Sequence, residues 1–403
     1  MFARRTEWNL ASNAYSLAVE RARRSGRTLL DLTASNPTTV GLHYERERIL
    51  RALQHPQALE YEPAAKGIFP AREAVAAYYA ELGVTLSIER IVLTVSTSEA
   101  YSYVFRLLCD PGDEVLVPQP SYPLFEFLAD IQDVKLRPYE LVYDHGWQIE
   151  FESLKRAITP RSRAIMVVHP NNPTGHCTRR WELERLNALC RYLPRDSPRD
   201  NGEQQLALVA DEVFLDYGLE QAGPPLSFAA NDAALTFTLS GLSKISALPQ
   251  IKAAWIAVSG PPALVAPALD RLEVIADTYL SPNAPVQWAM GELLLTRHGI
   301  QRQLRGRVQR NLGELDAQLR SAAARLTTRL ELDAGWYAVL RIPAMYSGEE
   351  IAIALLDRQG VLVHPGHFYD FPGSGYLVVS LIVPEEIFRE GMGRVLREIA
   401  VLS

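Results

Sequence analysis

Short runs of β-branched and other apolar residues alternate with amphipathic stretches, and this alternation limits the possible folds more than any other feature of the sequence. The runs are IVLTV (91–95), EVLVP (114–118), RAIMVVH (163–169), ALVADEV (207–213), LTFTLS (235–240) and AAWIAVS (253–259). Apolar runs of this length between helices are typical of buried parallel strands in βαβ units. The sequence therefore predicts an α/β fold with a mostly parallel, doubly wound sheet and helices on both of its faces.

The C-terminal part shows a different pattern. A helical stretch without a strong break covers residues 288–326, and apolar strands are then expected within 336–343, 361–365 and 376–383, with helices between them. We expect a large domain over 45–285 and a smaller α+β domain made of 1–44 and 286–403, which includes the connecting helix. The polar stretch 194–205 has turn residues and no apolar face, so we expect a surface loop there.

Composition excludes several classes of protein. The chain has 403 residues, 48% of them hydrophobic, and a net charge of −6 without basic blocks, which argues against disorder and against a nucleic-acid partner. No apolar run approaches the roughly 18 residues of a membrane span, and the N-terminal segment lacks a secretory signal, so we expect a cytoplasmic protein with no membrane partner. Cys109, Cys177 and Cys190 show no metal-ligand spacing, and no metal site is expected.

Two polar motifs follow predicted strands directly. Ser96–Ala100 opens a helix after the strand 91–95, where free backbone N–H groups and hydroxyls suit an anion, although a simple Ser/Thr cap with a nearby acid explains the same residues. His169–Gly175 reads HPNNPTG and fixes a turn at the carboxyl end of a strand, where ligands bind in open α/β sheets. Asn172 is expected to point an amide into that crevice.

Two charged residues complete the pattern. Asp211 ends the apolar strand 207–211, and a buried carboxylate requires either a protein cation or a cationic ligand as its partner. Lys244 follows the strand 235–240 among small residues, where burial lowers the pKa of an amine and lets it react with carbonyl groups. The chain has 36 Arg and only 5 Lys, so a lysine at this position is less expected by chance than in a lysine-rich chain. The alternative interpretation is that Lys244 is a surface lysine.

Taken together, these motifs resemble the fold-type I pyridoxal-phosphate enzymes, and within them the class I/II aminotransferases. The resemblance covers essentially the whole chain, because it includes Tyr61–Val75, the PSYP turn at 120–123, Gly335–Tyr337 and Val361–Gly366. It implies an aspartate aminotransferase-like fold and pyridoxal 5'-phosphate as the cofactor. It also implies a homodimer with shared active sites, because Tyr61 would reach the phosphate of the neighbouring subunit.

The same resemblance assigns roles to individual residues. Lys244 would bind the cofactor as a Schiff base and move the substrate proton, Asp211 would pair with the pyridine nitrogen, and Tyr122 would stack on the ring. Asn172 would donate to the phenolic oxygen of the cofactor. The phosphate would be bound by Thr97 and Ser98, with Ser240 or Ser243, Lys252 and Tyr61.

Three positions depart from the family pattern. Phe214 stands where a tyrosine is expected to donate to the phenolic oxygen, and Lys252 stands where an arginine is usual on the phosphate. Val378 stands where an arginine grips the substrate carboxylate. The sequence offers nearby polar residues as replacements for that arginine: His364, His367 and Tyr369, and less strongly Arg4 or Arg5.

The sequence therefore predicts an aminotransferase that moves an amino group between an amino acid or related amine and an oxo acid. Another pyridoxal-phosphate reaction on the same fold, such as a carbon–sulfur or β-lyase or a decarboxylase, stays open. A cofactor-binding regulator is a further alternative. We do not expect it, because only about 30 residues precede DLTASNPT and the net charge is negative.

Overall fold

The chain is described here from a computed structural model, which covers residues 1–123, 125–191, 205–219, 226–280, 282–321 and 325–402. The predicted loop at 194–205 lies outside these residues, except for residue 205. The strands of the described residues are β1 (Leu30–Asp31), β2 (Ile91–Thr94), β3 (Glu114–Gln119), β4 (Lys135–Tyr143), β5 (Trp147–Ile149), β6 (Ser162–Val168), β7 (Ala207–Asp211), β8 (Thr236–Gly241), β9 (Ala254–Ser259), β10 (Thr328–Arg329), β11 (Tyr337–Arg341), β12 (Val361–Leu362), β13 (His364–Pro365) and β14 (Tyr376–Ser380).

Helices occupy most of the segments between these strands. They are α1 (Ala14–Arg24), α2 (Arg46–Ala52), α3 (Phe69–Glu81), α4 (Thr97–Leu108), α5 (Phe125–Ile131), α6 (Phe151–Ala157), α7 (Arg180–Cys190), α8 (Leu242–Ile245), α9 (Pro262–Tyr279), α10 (Ala284–Leu295), α11 (Arg297–Leu319), α12 (Gly348–Ala354) and α13 (Glu385–Leu402). None of these described helices combines the length and the apolar character that a membrane crossing needs.

A large sheet forms the centre of the fold. Within the described residues it has eight strands in the order β2-β9-β8-β7-β6-β3-β4-β5. The pairs β8–β7, β7–β6, β6–β3 and β3–β4 are parallel, whereas β9 and β5 run antiparallel to their neighbours. The predicted mostly parallel α/β sheet is confirmed.

The alternation of side chains along the buried strands fills a separate core on each face of the sheet. In β6, Ile165 and Val167 belong to one core and Ala164, Met166 and Val168 to the other. Side chains with a period of two residues point to opposite faces of a strand, so a strand that is apolar at every position is covered on both sides. This is the physical reason why the apolar runs predicted helices on both faces.

One strand direction differs from the expectation. The run AAWIAVS continues the predicted parallel pattern, but β9 pairs antiparallel with both β8 and β2. The connection from β8 carries only the four-residue helix α8, and the amide of Leu242 donates to the carbonyl of Ala253, so the chain turns back beside β8. A parallel neighbour would require a longer crossover across the face of the sheet.

A smaller antiparallel sheet follows in the C-terminal part. Among the described residues it contains β10-β11-β14-β13, and β1 from the N-terminal segment pairs in parallel with β12 nearby. The N-terminal and C-terminal segments therefore contact each other, although the domain division itself stays a prediction.

The long connecting helix is interrupted, which the sequence did not indicate. Helix α10 ends at Leu295 and α11 begins at Arg297, with Thr296 between them. The hydroxyl of Thr296 donates to the carbonyl of Leu293 at 2.8 Å, and the side chain of Arg297 donates to the carbonyl of Leu294 at 2.8 Å. Such side-chain bonds compete with the backbone amides that would continue the helix.

Gly175 joins the turn after β6 to the segment before β11. Its carbonyl accepts the amides of Asp333 and Ala334 at 3.1 Å, and its φ of +73° lies in the left-handed region. A Cβ at this position would lie 2.5 Å from the carbonyl oxygen of Ala334, which is backbone and cannot rotate away. Only glycine fits this contact without a shift of one segment against the other.

Gly175→Ala is expected to lower the free energy of unfolding by about 2–4 kcal/mol, because left-handed strain and a backbone overlap add together. Gly83→Ala is the matched control: its φ is +76° but the space around it is open, so we expect a loss of only about 1 kcal/mol. Urea denaturation measures both variants. Equal losses would show that the overlap at Gly175 relaxes freely.

Candidate active site

The candidate site lies at one edge of the large sheet. The strands β3, β6, β7 and β8 run in the same direction, so their carboxyl ends meet at this edge. Ligands bind in open α/β sheets at this position. Four predicted residues follow these strand ends: Tyr122, Asn172, Asp211 and Lys244.

Asp211 is a buried carboxylate held by two donors. The hydroxyl of Tyr101 donates to its Oδ2 at 2.7 Å, and the amide of Val213 donates to its Oδ1 at 3.1 Å. Burial raises the pKa of Asp211, while these two hydrogen bonds and the charge of Lys244 act in the opposite direction. The two donors therefore fix the orientation of the carboxyl group and favour its ionised form.

Lys244 lies in α8, three residues after the end of β8. Its Nζ is 5.7 Å from the ring centre of Phe214 and 5.1 Å from that of Trp336. Burial lowers the pKa of Lys244, and the negative charge of Asp211 opposes that effect. A lysine with a lowered pKa in an aromatic pocket suits an amine that must react in its neutral form.

The turn after β6 uses its two asparagines differently. Asn171 forms its hydrogen bonds within the protein. Its Oδ1 accepts a hydrogen bond from the hydroxyl of Thr174 at 2.8 Å, and its main-chain N–H donates to the carbonyl of His176 at 2.9 Å. The Oδ1 of Asn172 is buried and has no hydrogen-bond partner among the described residues. Buried polar atoms are normally paired, so the side-chain amide of Asn172 is the one left for a ligand.

The first turn of α4 carries both of the features expected from the sequence. The hydroxyl of Ser96 accepts the amide of Glu99 at 3.1 Å, and the Glu99 carboxylate accepts the amide of Val95 at 2.8 Å, which is a reciprocal cap. No described residue bonds the main-chain amides of Thr97 and Ser98. These two N–H groups at a helix N-terminus suit an anion, as the sequence predicts.

The other predicted phosphate ligands differ in how exposed their side chains are. Ser240 is buried and its hydroxyl approaches the carbonyl of Glu212 at 3.5 Å, whereas Ser243 is half-buried. Lys252 is exposed with a φ of +60°, directly before Ala253, whose carbonyl accepts the amide of Leu242 in α8. Tyr61 is 78% exposed in the single chain and contacts none of the other described site residues through a hydrogen bond.

Tyr122 lies beside the site, and its side chain is 40% exposed. Burial of the rest of the side chain and the charge of Asp211 raise the pKa of its hydroxyl. A cavity of about 580 Å³ lies next to it, lined also by Ser121, Phe125, His367 and Asp370. Asn172, Asp211 and Lys244 are not among the described residues that line this cavity.

Tyr101 is a site residue that the sequence analysis missed. It lies in the second turn of α4, the helix that begins at the anion site, and it is 3% exposed. The signal was present in the pattern, because a tyrosine on the buried face of this helix needs a partner for its hydroxyl, and Asp211 needs a donor.

The structure also shows the surroundings of the residues that depart from the family pattern. Phe214 is buried against Trp336 at 5.2 Å between ring centres, and the hydroxyl of the nearby Tyr217 donates to the carbonyl of Lys244 at 2.7 Å. Tyr217 therefore does not replace the missing phenol. Val378 is fully buried in β14.

The candidates for the replacement of the missing arginine differ in their partners and in their exposure. His364 bonds Tyr369 through Nδ1 at 3.0 Å, whereas His367 is exposed and packs on Phe368. Arg5 forms an ion pair with Asp133 at 2.5 Å, and Arg4 is exposed.

The family model for aminotransferase class I and II matches residues 9–387. The chain belongs to this family. Its similarity to the glutamate-pyruvate aminotransferase AlaA of Haemophilus influenzae is 26% identity over 67% of this chain and 64% of that protein, so the chain spans less than two thirds of that relative's length. It is 27% identical to the aspartate/prephenate aminotransferase of Thermus thermophilus over 96% of this chain and 94% of the relative.

The solved structures agree with this membership. A mutant aspartate aminotransferase of Thermus thermophilus superposes with a TM-score of 0.82 at 25% identity, over 99% of both chains. The predicted aspartate aminotransferase-like fold and the resemblance to this aminotransferase family are both confirmed. Members of this family generally use pyridoxal phosphate.

Tyr101→Phe is expected to raise the pKa of Asp211, because it removes a donor to the ionised carboxylate. Affinity for pyridoxal phosphate, which we expect to need the ionised carboxylate, would then be lost at a pH about one to two units higher as the solution is acidified. Fluorescence titration of the apoprotein at several pH values measures the shift. Tyr103→Phe, which removes another buried hydroxyl from α4, is the control, and an equal shift there would contradict the role of Tyr101.

Phe214→Tyr is expected to lower, by about one to two units, the pKa that the Lys244 nitrogen would have when joined to pyridoxal phosphate, since the added phenol would stabilise the ionised oxygen of that group. A spectral pH titration of the wild type and the variant measures both values. Tyr217→Phe is the control, because its hydroxyl bonds a main-chain carbonyl instead. A wild-type nitrogen that is already deprotonated well below neutral pH would contradict this expectation.

Proposed function

We propose that this protein is a pyridoxal-phosphate-dependent aminotransferase that transfers an amino group between an amino acid or related amine and an oxo acid. One observation carries the proposal. Asp211, a buried carboxylate that accepts two hydrogen bonds, and Lys244, a lysine of lowered pKa, both lie at the ligand-binding edge of the sheet. Membership of the aminotransferase class I and II family supports the same function.

The residues of the site fit pyridoxal phosphate. The Nδ2 of Asn172 would donate to the phenolic oxygen, and the free main-chain amides of Thr97 and Ser98 suit the phosphate. Lys252 would contribute a point charge to the phosphate, with Ser240 and Ser243 as hydroxyl donors. Tyr122 would cover one face of the ring.

When bound, pyridoxal phosphate supplies an electron sink for the bond that breaks at the substrate carbon. Asp211 would keep the ring nitrogen protonated, which requires its own carboxyl group to stay ionised despite burial. The hydroxyl of Tyr101 and the amide of Val213 assist by stabilising the charged carboxylate. Lys244 Nζ would take the proton from the substrate carbon and return it, and its lowered pKa keeps a larger fraction of the amine neutral and able to accept it.

We also propose a cytoplasmic homodimer with shared active sites. The support for the dimer is Tyr61, which is 78% exposed in the single chain and would complete the phosphate site of a second copy. The exposed Leu59 and Phe69 near it, at 94% and 52%, suit burial between subunits.

Purified protein with pyridoxal phosphate is expected to show a visible absorption band that depends on Lys244 and disappears when an amino donor is added. Addition of an oxo acid should restore the band, because the amino group then leaves the cofactor. Lys244→Ala should lose the band and at least about 10³-fold of the transfer rate, since both the covalent bond and the proton transfer are lost. A panel of amino acids and amines identifies the donor.

The control is Lys155→Ala, because Lys155 is an exposed lysine paired with Glu152 far from the sheet edge. Its band and rate should equal those of the wild type. A band that forms but is converted by no donor would exclude transamination and favour a lyase, a decarboxylase or a regulator. A protein without any lysine-dependent band would exclude the cofactor assignment.

A further inference from the structure

The position of the family arginine has become part of an apolar wall. Val378 lies in β14, between β11 and β13, and is directly opposite Val339 on one side and His364 on the other. Directly opposed residues of antiparallel strands project from the same face, with Cβ atoms about 4.5–5.5 Å apart. An imidazole therefore lies beside the valine that replaces the cation.

His364 belongs to a polar cluster with Tyr369. The Nδ1 of His364 and the hydroxyl of Tyr369 are 3.0 Å apart. When the phenol donates to Nδ1, the ring proton lies on Nε2, which is then a hydrogen-bond donor. No described residue forms a hydrogen bond with Nε2, so this donor is left for a ligand.

Ring contacts connect the face of the small sheet that carries His364 with the surroundings of Lys244. Tyr337 is opposite Ser380, two residues along β14 from Val378, and thus shares this face. The ring centre of Tyr337 is 6.4 Å from those of both Phe214 and Tyr369. The ring centre of Phe214 in turn lies 5.7 Å from Lys244 Nζ, so a chain of ring contacts leads from the cluster to the lysine.

The charges around His364 do not favour an anion. Burial lowers the pKa of His364 and the charge of the acidic Asp31 opposes this, and the net lowering favours the neutral ring. A cavity of about 580 Å³ beside His364 is lined also by Thr33, Tyr15 and Phe368. Its outer rim includes the exposed Arg23 and Arg24, and Arg24 forms an ion pair with Glu20.

A carboxylate that loses water next to Val378 would therefore meet one neutral donor and an acidic neighbour. Uncompensated burial of a carboxylate is costly, whereas a hydroxyl or a carboxamide needs only one or two neutral partners. The donor Nε2 and the acceptor oxygen of Tyr369 can supply such partners.

We propose that the His364–Tyr369 pair replaces the substrate-gripping arginine and selects amino compounds whose amine-bearing carbon carries a neutral polar group, a hydroxymethyl or a carboxamide, in place of a carboxylate. This inference rests on the proposed aminotransferase function and names the substrate class of the same site. The proton and amino-group transfers themselves are unchanged, because they involve the C–H and C–N bonds of that carbon and not its bond to the polar group.

Binding to the protein loaded with pyridoxal phosphate tests the proposal. Dissociation constants are measured from the absorbance change for L-alanine, L-alaninol and L-alaninamide, and for the three corresponding forms of L-phenylalanine, at one pH. In the wild type the neutral forms should bind at least about tenfold more tightly than the carboxylates, because no cation faces the latter. Amino transfer to pyruvate is measured separately with the same compounds.

Two pairs of variants assign the preference to residues. Val378→Arg should shift it toward the carboxylates by about 10- to 100-fold through a charge-assisted bidentate pair, and Val378→Leu, which adds no charge, should leave it unchanged. His364→Leu should weaken the neutral forms by about five- to tenfold and leave the carboxylates unchanged. The exposed His367→Leu is its control.

Tighter binding of the carboxylates by the wild type would overturn the proposal, and so would equal binding of all three forms or no binding at all. A carboxylate preference that disappears in Arg23→Ala would identify Arg23 as the anchor instead. If the neutral forms bind preferentially but no amino group reaches pyruvate, the recognition by His364 stands and the aminotransferase function fails.

Discussion

The buried carboxylate of Asp211 is the constraint on which the site depends. A charge at the end of a strand that is covered on both faces is costly, and the hydroxyl of Tyr101 and the amide of Val213 compensate part of that cost. Because Tyr101 lies in α4, the same contact fixes the helix whose first turn offers free amides to an anion. The carboxylate and the anion site are thus held at a fixed distance by one helix.

The register of the sheet brings the remaining groups to that carboxylate. Asp211 is opposite Val168 in β6 and Leu239 in β8, so the turn that contains Asn172 and the helix that contains Lys244 leave the sheet beside it. Gly175 then ties the turn to the segment before β11, which places Trp336 5.1 Å from Lys244 Nζ. The two sheets meet around the lysine for this reason.

The family pattern and the departures from it have different consequences. The groups that would hold the cofactor are retained except for the phenol missing at Phe214 and the arginine replaced by Lys252, so the retained pair Asp211 and Lys244 would carry the proposed cofactor chemistry. Val378 changes the substrate side of the site, where His364 and Tyr369 form the polar cluster.

The sequence by itself determined the sheet, the order of its motifs and most residues at its edge, because apolar periodicity and motifs at strand ends are local signals. It did not determine the antiparallel direction of β9, the break at Thr296 or the contact of Tyr101 with Asp211. Each of these depends on a partner distant in the chain or on competing hydrogen bonds that no local pattern records. Likewise, the sequence offered three nearby polar residues and, less strongly, two N-terminal arginines for the lost arginine, and only the pairing of β13 with β14 placed His364 beside Val378.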